Sequence, residues 1–538
     1  MKNIIKLSCI CLFLCVSCQQ GVKQNDAEVA SAAIDSAAYL AYVEKLSSDA
    51  FQGRLPGSAG EDSTIQYIKN TFIKLGLEAG NGDDFYQEVP LMQVTSQSGK
   101  EWAIQGKQGK KSFKLAEDYV LASRQAGDIS IPNVEFVFAG FGIVAPEYQW
   151  NDYADIDVKD KIVIVMVNDP GYYNKQLFKG ETMTYYGRWT YKYEEAARQG
   201  AAGVMIIHNT GAASYGWNVV QSGWSGPQMT LAQEAADIPK FEGWITEDMA
   251  SQLFQLSGKT DQLIESAKTP GFKPVPLQIN ASVHIKNTTK QYQSHNVLGK
   301  IKGTTRPDEV VIYAGHWDHL GIGTPLNGDS IYNGAEDNAT GIAGLFEIAQ
   351  AFMNAKKAPE RTIVFAAWTA EEQGLLGSEY YAKHPAYPLK QTVANINIDA
   401  LSPGGETRDI TIVGYGQSEL DDYAAAAAKK LNKTIAPDPH PSSGGFFRSD
   451  HFNFVKAGVP ALYAGSGVDY LDTSDLAKQK RKDLEGRYHS PSDEVTPAWD
   501  ISGIVQNLNV LFSIGYRLSM EDTFPEWKDS SEFKQIKR

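Results

Sequence analysis

From about Ala281 onward the chain alternates short apolar runs with amphipathic stretches, and this pattern constrains the fold most. The apolar runs are Val310–Ala314, Thr362–Trp368, Ala394–Asp399, Ile410–Val413 and Val459–Ala464. Between them lie "GIAGLFEIAQAFMNA", "EQGLLGSEYYAKH" and "SELDDYAAAAAKKLN", whose apolar positions recur at helical spacing. Buried strands alternating with helices predict an α/β domain, a mostly parallel mixed sheet flanked by helices. Ligands of such sheets bind beyond the carboxyl ends of the strands.

The chemistry-bearing residues stand at those ends. Val310–Ala314 runs into "GHWDHLG", which carries His316 and Asp318. Thr362–Trp368 runs into Glu371 and Glu372, and Ala394–Ile398 into Asp399. "NGAEDNATGIAG" places Asp337 just ahead of a helix, and "RYHSPSDEV" adds His489. One histidine or aspartate at a strand end means little. Five segments delivering imidazoles and carboxylates to one sheet edge predict a metal site.

Two imidazoles and several carboxylates without thiolate suit zinc or a similar divalent ion in a catalytic site. One Zn²⁺ needs about four ligands, and two ions sharing a bridging carboxylate need about five protein ligands. The candidates are His316, Asp337, Glu372, Asp399 and His489. Glu371 is then left uncommitted. A carboxylate that binds metal cannot also move protons freely, so adjacent glutamates can supply one ligand and one base.

The remaining regions are less specific. Residues 37–91 have helical periodicity, with Gly76 as a helix stop. Residues 92–280 read as short strands with Gly-rich turns, plus one helix in "YKYEEAARQGAAGV". His208 in that region reads as structural. Residues 281–520 carry the metal site, and residues 521–538 form a tail.

With 538 residues, two cores are expected. The formal net charge of −14 argues against a nucleic-acid partner, which needs a basic face. The 26 tyrosines and 10 tryptophans suit a binding cleft as well as a large core. All four cysteines, Cys9, Cys11, Cys15 and Cys18, fall in the first eighteen residues. Lys2 and Lys6 followed by "LSCICLFLCVSC" read as an export signal, too short for a stable membrane span. "CVSC" resembles a lipoprotein cleavage box with Cys18 as the lipid acceptor, although Cys15 stands where the pattern prefers leucine. An ordinary signal peptide cut slightly later is the alternative. Residues 1–18 would then be removed or lipidated and residues 19–36 would be a polar tether. An exported protein, periplasmic or membrane-anchored through Cys18, is expected, and no later stretch reads as a membrane span.

The residues also resemble the di-zinc exopeptidases of metallopeptidase family 28, the leucyl-aminopeptidase and glutamate-carboxypeptidase type. "GHWDHLG", "GAEDNATG", "TAEEQGLLGS", "NINIDA", "SDHFNFVKAGVPAL" and "YHSPSDE" occur in family order, and "SSDAFQGRLPGSAGEDSTIQYI" and "FYQEVPL" extend the likeness. The resemblance implies peptide substrates and two zinc ions. His316 and Asp399 would bind one ion together with bridging Asp337, and Glu372 and His489 would complete the other site. Glu371 would be the general base, Asp318 the carboxylate that orients His316, and Tyr488 a donor to the oxyanion. His319 and His451 match positions that are not ligands and read as structural. The middle region resembles an inserted protease-associated domain, with "YGWNVVQSGWSG" as a candidate rim loop. Glutaminyl cyclases share the scaffold, relatives with this insert include carboxypeptidases, and a binding protein on a decayed scaffold would have lost ligands. Aminopeptidase action is the leading expectation.

Overall fold

The computed structural model describes residues 26–232 and 238–538. The residues read as an export signal, with Cys18, and the first part of the stretch read as a tether lie outside the described residues. Helix α1 (Ser36–Leu46) starts where the Asp35 side chain accepts from the Ala37 and Ala38 backbone N–H groups. Helix α2 (Ala59–Lys74) is capped by Ser58 and ends at Gly76, whose φ of 87° reverses the chain. Strand β1 (Tyr86–Ser98) follows.

The middle region is built on four strands, 129–138, 162–166, 203–207 and 241–245, which run parallel side by side. Helix α3 (Trp189–Arg198) precedes the third of these. The "YGWNVVQSGWSG" stretch is not a loop: Trp217–Ser225 is helical. Trp217 Nε1 and Gln221 Nε2 both donate to the Ala116 carbonyl, which fixes this helix on the insert.

Among the described residues, continuous strands join the middle region to the rest. Strand β2 (Val275–Ile301) is 27 residues long. Its first part pairs with 129–138, its centre with β1, and its last five residues with the core sheet. The boundaries read at 91/92 and 280/281 therefore fall inside β1 and β2.

The core sheet adds β3 (Arg306–His316), β4 (Arg361–Trp368), β5 (Thr392–Asn397), β6 (Asp409–Val413), β7 (Thr434–Pro437) and β8 (Ala461–Ser466). Their order is β2-β4-β3-β5-β8-β6-β7. The centre, β4-β3-β5-β8, is parallel, and antiparallel pairs join it to β2 and β6. This is the mixed, mostly parallel sheet expected.

Helix α4 (Thr340–Asn354) is buried nearly all round. It packs between the sheet, α1 and helix α5 (Ser502–Met520). Gly515 of α5 permits close approach to the sheet, because a Cβ there would lie 1.9 Å from the Tyr313 hydroxyl. That hydroxyl donates to the Leu511 carbonyl. The tail folds back onto the other face, where Trp527 and Phe533 are buried and Arg538 donates to the Thr392 carbonyl. Met183 N donates to Pro441 O, and the Tyr185 ring lies 4.8 Å from the Phe452 ring, so the middle region packs on the core.

Candidate metal centre

The strand register brings the first ligands level. His316 of β3 pairs with Trp368 of β4, and Ala314 pairs with Asn397 of β5. Two residues beyond each partner of the second pair stand His316 and Asp399. Three and four residues beyond Trp368 stand Glu371 and Glu372. Ala370, Ala400 and His489 all take left-handed φ values of 52–53°, so the backbone turns sharply at three points of the site. Such conformations cost about 1–3 kcal/mol and persist only where the surroundings hold them.

Asp337 arrives from a loop that two other residues hold. The Asp493 carboxylate accepts from Glu336 N and Asp337 N, at 2.9 and 3.1 Å. Arg54, fully buried, donates Nε to Trp317 O and Nη1 to Asn333 O and Leu46 O. Its Nη2 donates to Gly334 O at 2.8 Å. One guanidinium therefore braces both the His316 loop and the Asp337 loop. Asp318 does the same for the glutamates: Glu371 N donates to its Oδ1 and Glu372 N to its Oδ2.

The cluster has two halves that meet at Asp337. Its Oδ1 lies 3.3 Å from His316 Nε2, and its Oδ2 lies 3.1 Å from His489 Nε2. In the first half, Asp399 Oδ1 lies 3.1 Å from His316 Nε2 while its Oδ2 accepts from Ser449 Oγ. In the second half, Glu372 Oε2 lies 3.1 Å from His489 Nε2. Glu371 Oε2 stands 3.9 Å from His316 Nε2 and makes no closer ion pair among the described residues. One ligand atom each of His319, Asp337, Glu372 and His489 lie within 4.8 Å of one another, as do those of His316, Glu371 and Asp399. This inward-facing N/O donor set, with no thiolate, fits zinc.

The electrostatics describe a site built for cations. Burial would lower the His316 pKa, but Glu371 and Asp399 outweigh it and raise it well above the ordinary value. His489 likewise rises to about 10, because its bonds to Asp337 and Glu372 overcome burial. Burial opposes ionisation of Asp337, yet His316 and His489 hold its carboxyl well below the usual range. Burial pushes the Asp318 carboxyl up to about 7.

All five candidate ligands, His316, Asp337, Glu372, Asp399 and His489, converge, and Glu371 stands beside them. Two expectations change in detail. The group nearest His316 Nδ1 is the Asp318 backbone carbonyl at 3.1 Å, whereas the Asp318 carboxylate lies 3.8 Å away and serves the glutamate turn. Tyr488 stacks its ring on His489 at 3.9 Å and is 64% exposed. Its hydroxyl makes no hydrogen bond among the described residues. His451 is buried between Phe446 and Tyr463, and His208 lies against the Tyr215 carbonyl. His319, read as structural, is inside the cluster with Nδ1 2.7 Å from Glu372 Oε1. Arg54, Ser449 and Asp493 were not singled out, although each stands in a stretch that carries the family likeness.

Fold and site together define the class: an α/β sheet with a carboxylate–imidazole cluster at its strand ends that could hold metal. The same fold occurs in an aminopeptidase from Aneurinibacillus sp. strain AM-1, with a TM-score of 0.51 and 20% identity. That likeness covers 93% of this chain and 97% of the other. Residues 296–511 match the family model for peptidase family M28. Aminopeptidase NAALADL1 of Mus musculus is 37% identical over 217 residues, 37% of this chain and 26% of that protein. A probable glutamate carboxypeptidase of Arthroderma benhamiae is 33% identical over 247 residues, 43% of this chain and 31% of that one. The chain thus matches under a third of the length of either relative.

Proposed function

We propose that this protein is an exported di-zinc metallo-exopeptidase that removes N-terminal residues from peptides. The observation that carries the reading is the division of Asp337: its two oxygens face two separate imidazoles, with an uncommitted Glu371 alongside. His316, Asp337 and Asp399 would hold one cation, and Asp337, Glu372 and His489 the other. Zinc bound there would supply Lewis acidity, polarising the scissile carbonyl and acidifying a water molecule.

The chain's own residues do the rest. Asp318 fixes the turn that presents Glu371. Glu371 takes a proton from the attacking water and returns it to the nitrogen of the leaving amine, so it ends the cycle as it began. Tyr488, stacked over His489 at the open side of the cluster, would donate its hydroxyl to the developing oxyanion once substrate covers it. The middle region acts as a protease-associated wall. Support comes from its contacts at Met183 and Tyr185 with the 441–452 segment, which also carries Ser449.

A second reading, carboxypeptidase or dipeptidase action, is favoured by one observation. Arg188, half-buried on the middle region, has no carboxylate partner among the described residues, and its buried Nε has no hydrogen-bond partner. Arg448, exposed on the core domain, has no carboxylate partner either and stands one residue before Ser449. The two guanidinium groups repel, adding to the burial that lowers the Arg188 pKa to about 9. Two arginines close enough to repel, neither with a carboxylate partner among the described residues, suit a substrate carboxylate.

The test uses zinc-loaded protein and one peptide in three forms: free, blocked at the N-terminus and blocked at the C-terminus. Stepwise N-terminal loss, stopped only by the N-terminal block, is expected by mass spectrometry. Loss from the other end would replace the aminopeptidase with a carboxypeptidase. A Gln-initiated peptide run in parallel would release ammonia uncleaved if the protein were a cyclase. No product from any peptide would overturn the enzymatic reading. Export and attachment through Cys18 rest on the sequence alone, and recovery of the native protein in the cytosolic fraction would contradict them.

A further inference from the structure

His319 is fully buried and differs from the other histidines of the cluster in how it is held. Its Nδ1 lies 2.7 Å from Glu372 Oε1, while Glu372 Oε2 faces His489. The His319 ring stands edge-on to the His489 ring at 5.6 Å. On its other side is Gly334, at φ 59°, where a Cβ would come 2.6 Å from the ring carbons Cγ and Cδ2. The ring is therefore trapped by packing in one position. Its Nε2 is buried without a hydrogen-bond partner, which leaves Nδ1 as the atom that carries the interaction.

We propose that His319 is a positioning residue that donates Nδ1–H to Glu372 Oε1 and so confines Glu372 to binding a cation through Oε2 alone. A carboxylate free to use both oxygens would take two coordination positions. Holding one oxygen keeps a position open for water or substrate in that half of the site, as a catalytic zinc requires. The first half has a different donor for the same task, since Ser449 Oγ holds Asp399 Oδ2. His319 therefore acts on only one of the two cation positions. The proposal rests on the two-cation reading and assigns no proton transfer to His319.

The test is stepwise zinc binding, measured by competition with a chromophoric chelator, on the wild type, His319→Asn and His319→Leu. Cobalt-substituted absorption spectra are recorded beside it. Asn and Leu share a side chain of four heavy atoms branched at Cγ, but only Asn keeps an N–H donor near the Nδ1 position. His319→Leu should weaken one of the two ions roughly 10- to 100-fold and leave the other within about twofold. It should also shift the cobalt spectrum toward higher coordination number. His319→Asn should restore most of the affinity and the spectrum. Equal effects of Asn and Leu would mean a packing role and overturn the proposal. So would unchanged binding in His319→Leu, or a cobalt spectrum that loses a nitrogen ligand, which would make His319 a ligand. A wild type that binds a single zinc would fail the two-cation reading itself, and the proposal with it.

Discussion

Asp318 holds Glu371 through the backbone: Glu371 N donates to Asp318 Oδ1 at 3.0 Å, and the next amide donates to the other oxygen of the same carboxylate. The adjacent glutamates are therefore positioned by a group that touches neither of their side chains. An amide in place of that carboxylate offers one acceptor and turns an NH₂ toward a backbone N–H. Asp318→Asn should lower kcat/KM by about 10- to 100-fold. Steady-state kinetics on a single peptide would check this, and wild-type activity would remove Asp318 from the account.

Arg54 is the brace for the other two ligand loops. Its guanidinium donates to the carbonyls of Trp317, Leu46, Asn333 and Gly334. Arg54→Ala leaves these buried acceptors unpaired and opens a cavity, each lost partner costing about 1–3 kcal/mol. A loss of about 3 kcal/mol or more is expected from urea unfolding. Arg54→Lys should recover little of it, because an ammonium cannot reach the same fork of carbonyls.

Arg188 and Arg448 lead to a prediction about substrate ends. If they receive a carboxylate, Arg188→Ala should raise KM for peptides with a free C-terminus by about 10-fold or more, the worth of a charge-assisted hydrogen bond. C-terminal amides should be unaffected. Equal changes for acid and amide forms would dissociate the arginines from substrate recognition.

His451 makes stability depend on pH. Burial lowers its pKa to about 3, far below the ordinary value near 6.5. The unfolded chain therefore binds a proton between pH 6.5 and 3 that the folded chain refuses. Stability from this residue is fully present above pH 6.5 and falls by roughly 1.4 kcal/mol per unit as pH drops through that window. Urea unfolding at pH 6.5 and pH 5 should show about 2 kcal/mol less loss in His451→Gln than in the wild type. Equal losses would place the acid sensitivity elsewhere.

How much of this was legible in the sequence follows from which interactions are local. Apolar runs ending in His316, Glu371–Glu372 and Asp399 could be read because strand register converts sequence offset directly into position at the sheet edge. Asp337 and His489 could be read because each stands in a recognisable motif. The roles of Arg54 and Ser449 could not, since Arg54 acts mainly through carbonyls of Trp317, Asn333 and Gly334, far away in sequence, and Ser449 through one hydroxyl. His319 reads as structural because it matches a position in "GHWDHLG" that is not a ligand in the family, and that match does not reveal which way its ring points. The middle region's boundaries were obscured for a different reason: β1 and β2 run through them without any change in composition that a linker would bring. The helix at Trp217–Ser225 is hidden by Gly223, the flanking Gly216 and Gly226 and its two serines, and tertiary bonds to Ala116 outweigh that local preference.

The central claim is that two cations share Asp337 while Glu371 remains free to move protons. It is tested most directly by elemental analysis and turnover of the wild type, Glu371→Gln and Glu372→Gln, purified and zinc-loaded together. The account predicts two zinc ions per chain in the wild type and in Glu371→Gln, with turnover of the latter reduced by at least about 100-fold. Glu372→Gln should lose zinc. One zinc per wild-type chain, or loss of metal and activity together in Glu371→Gln, would contradict it.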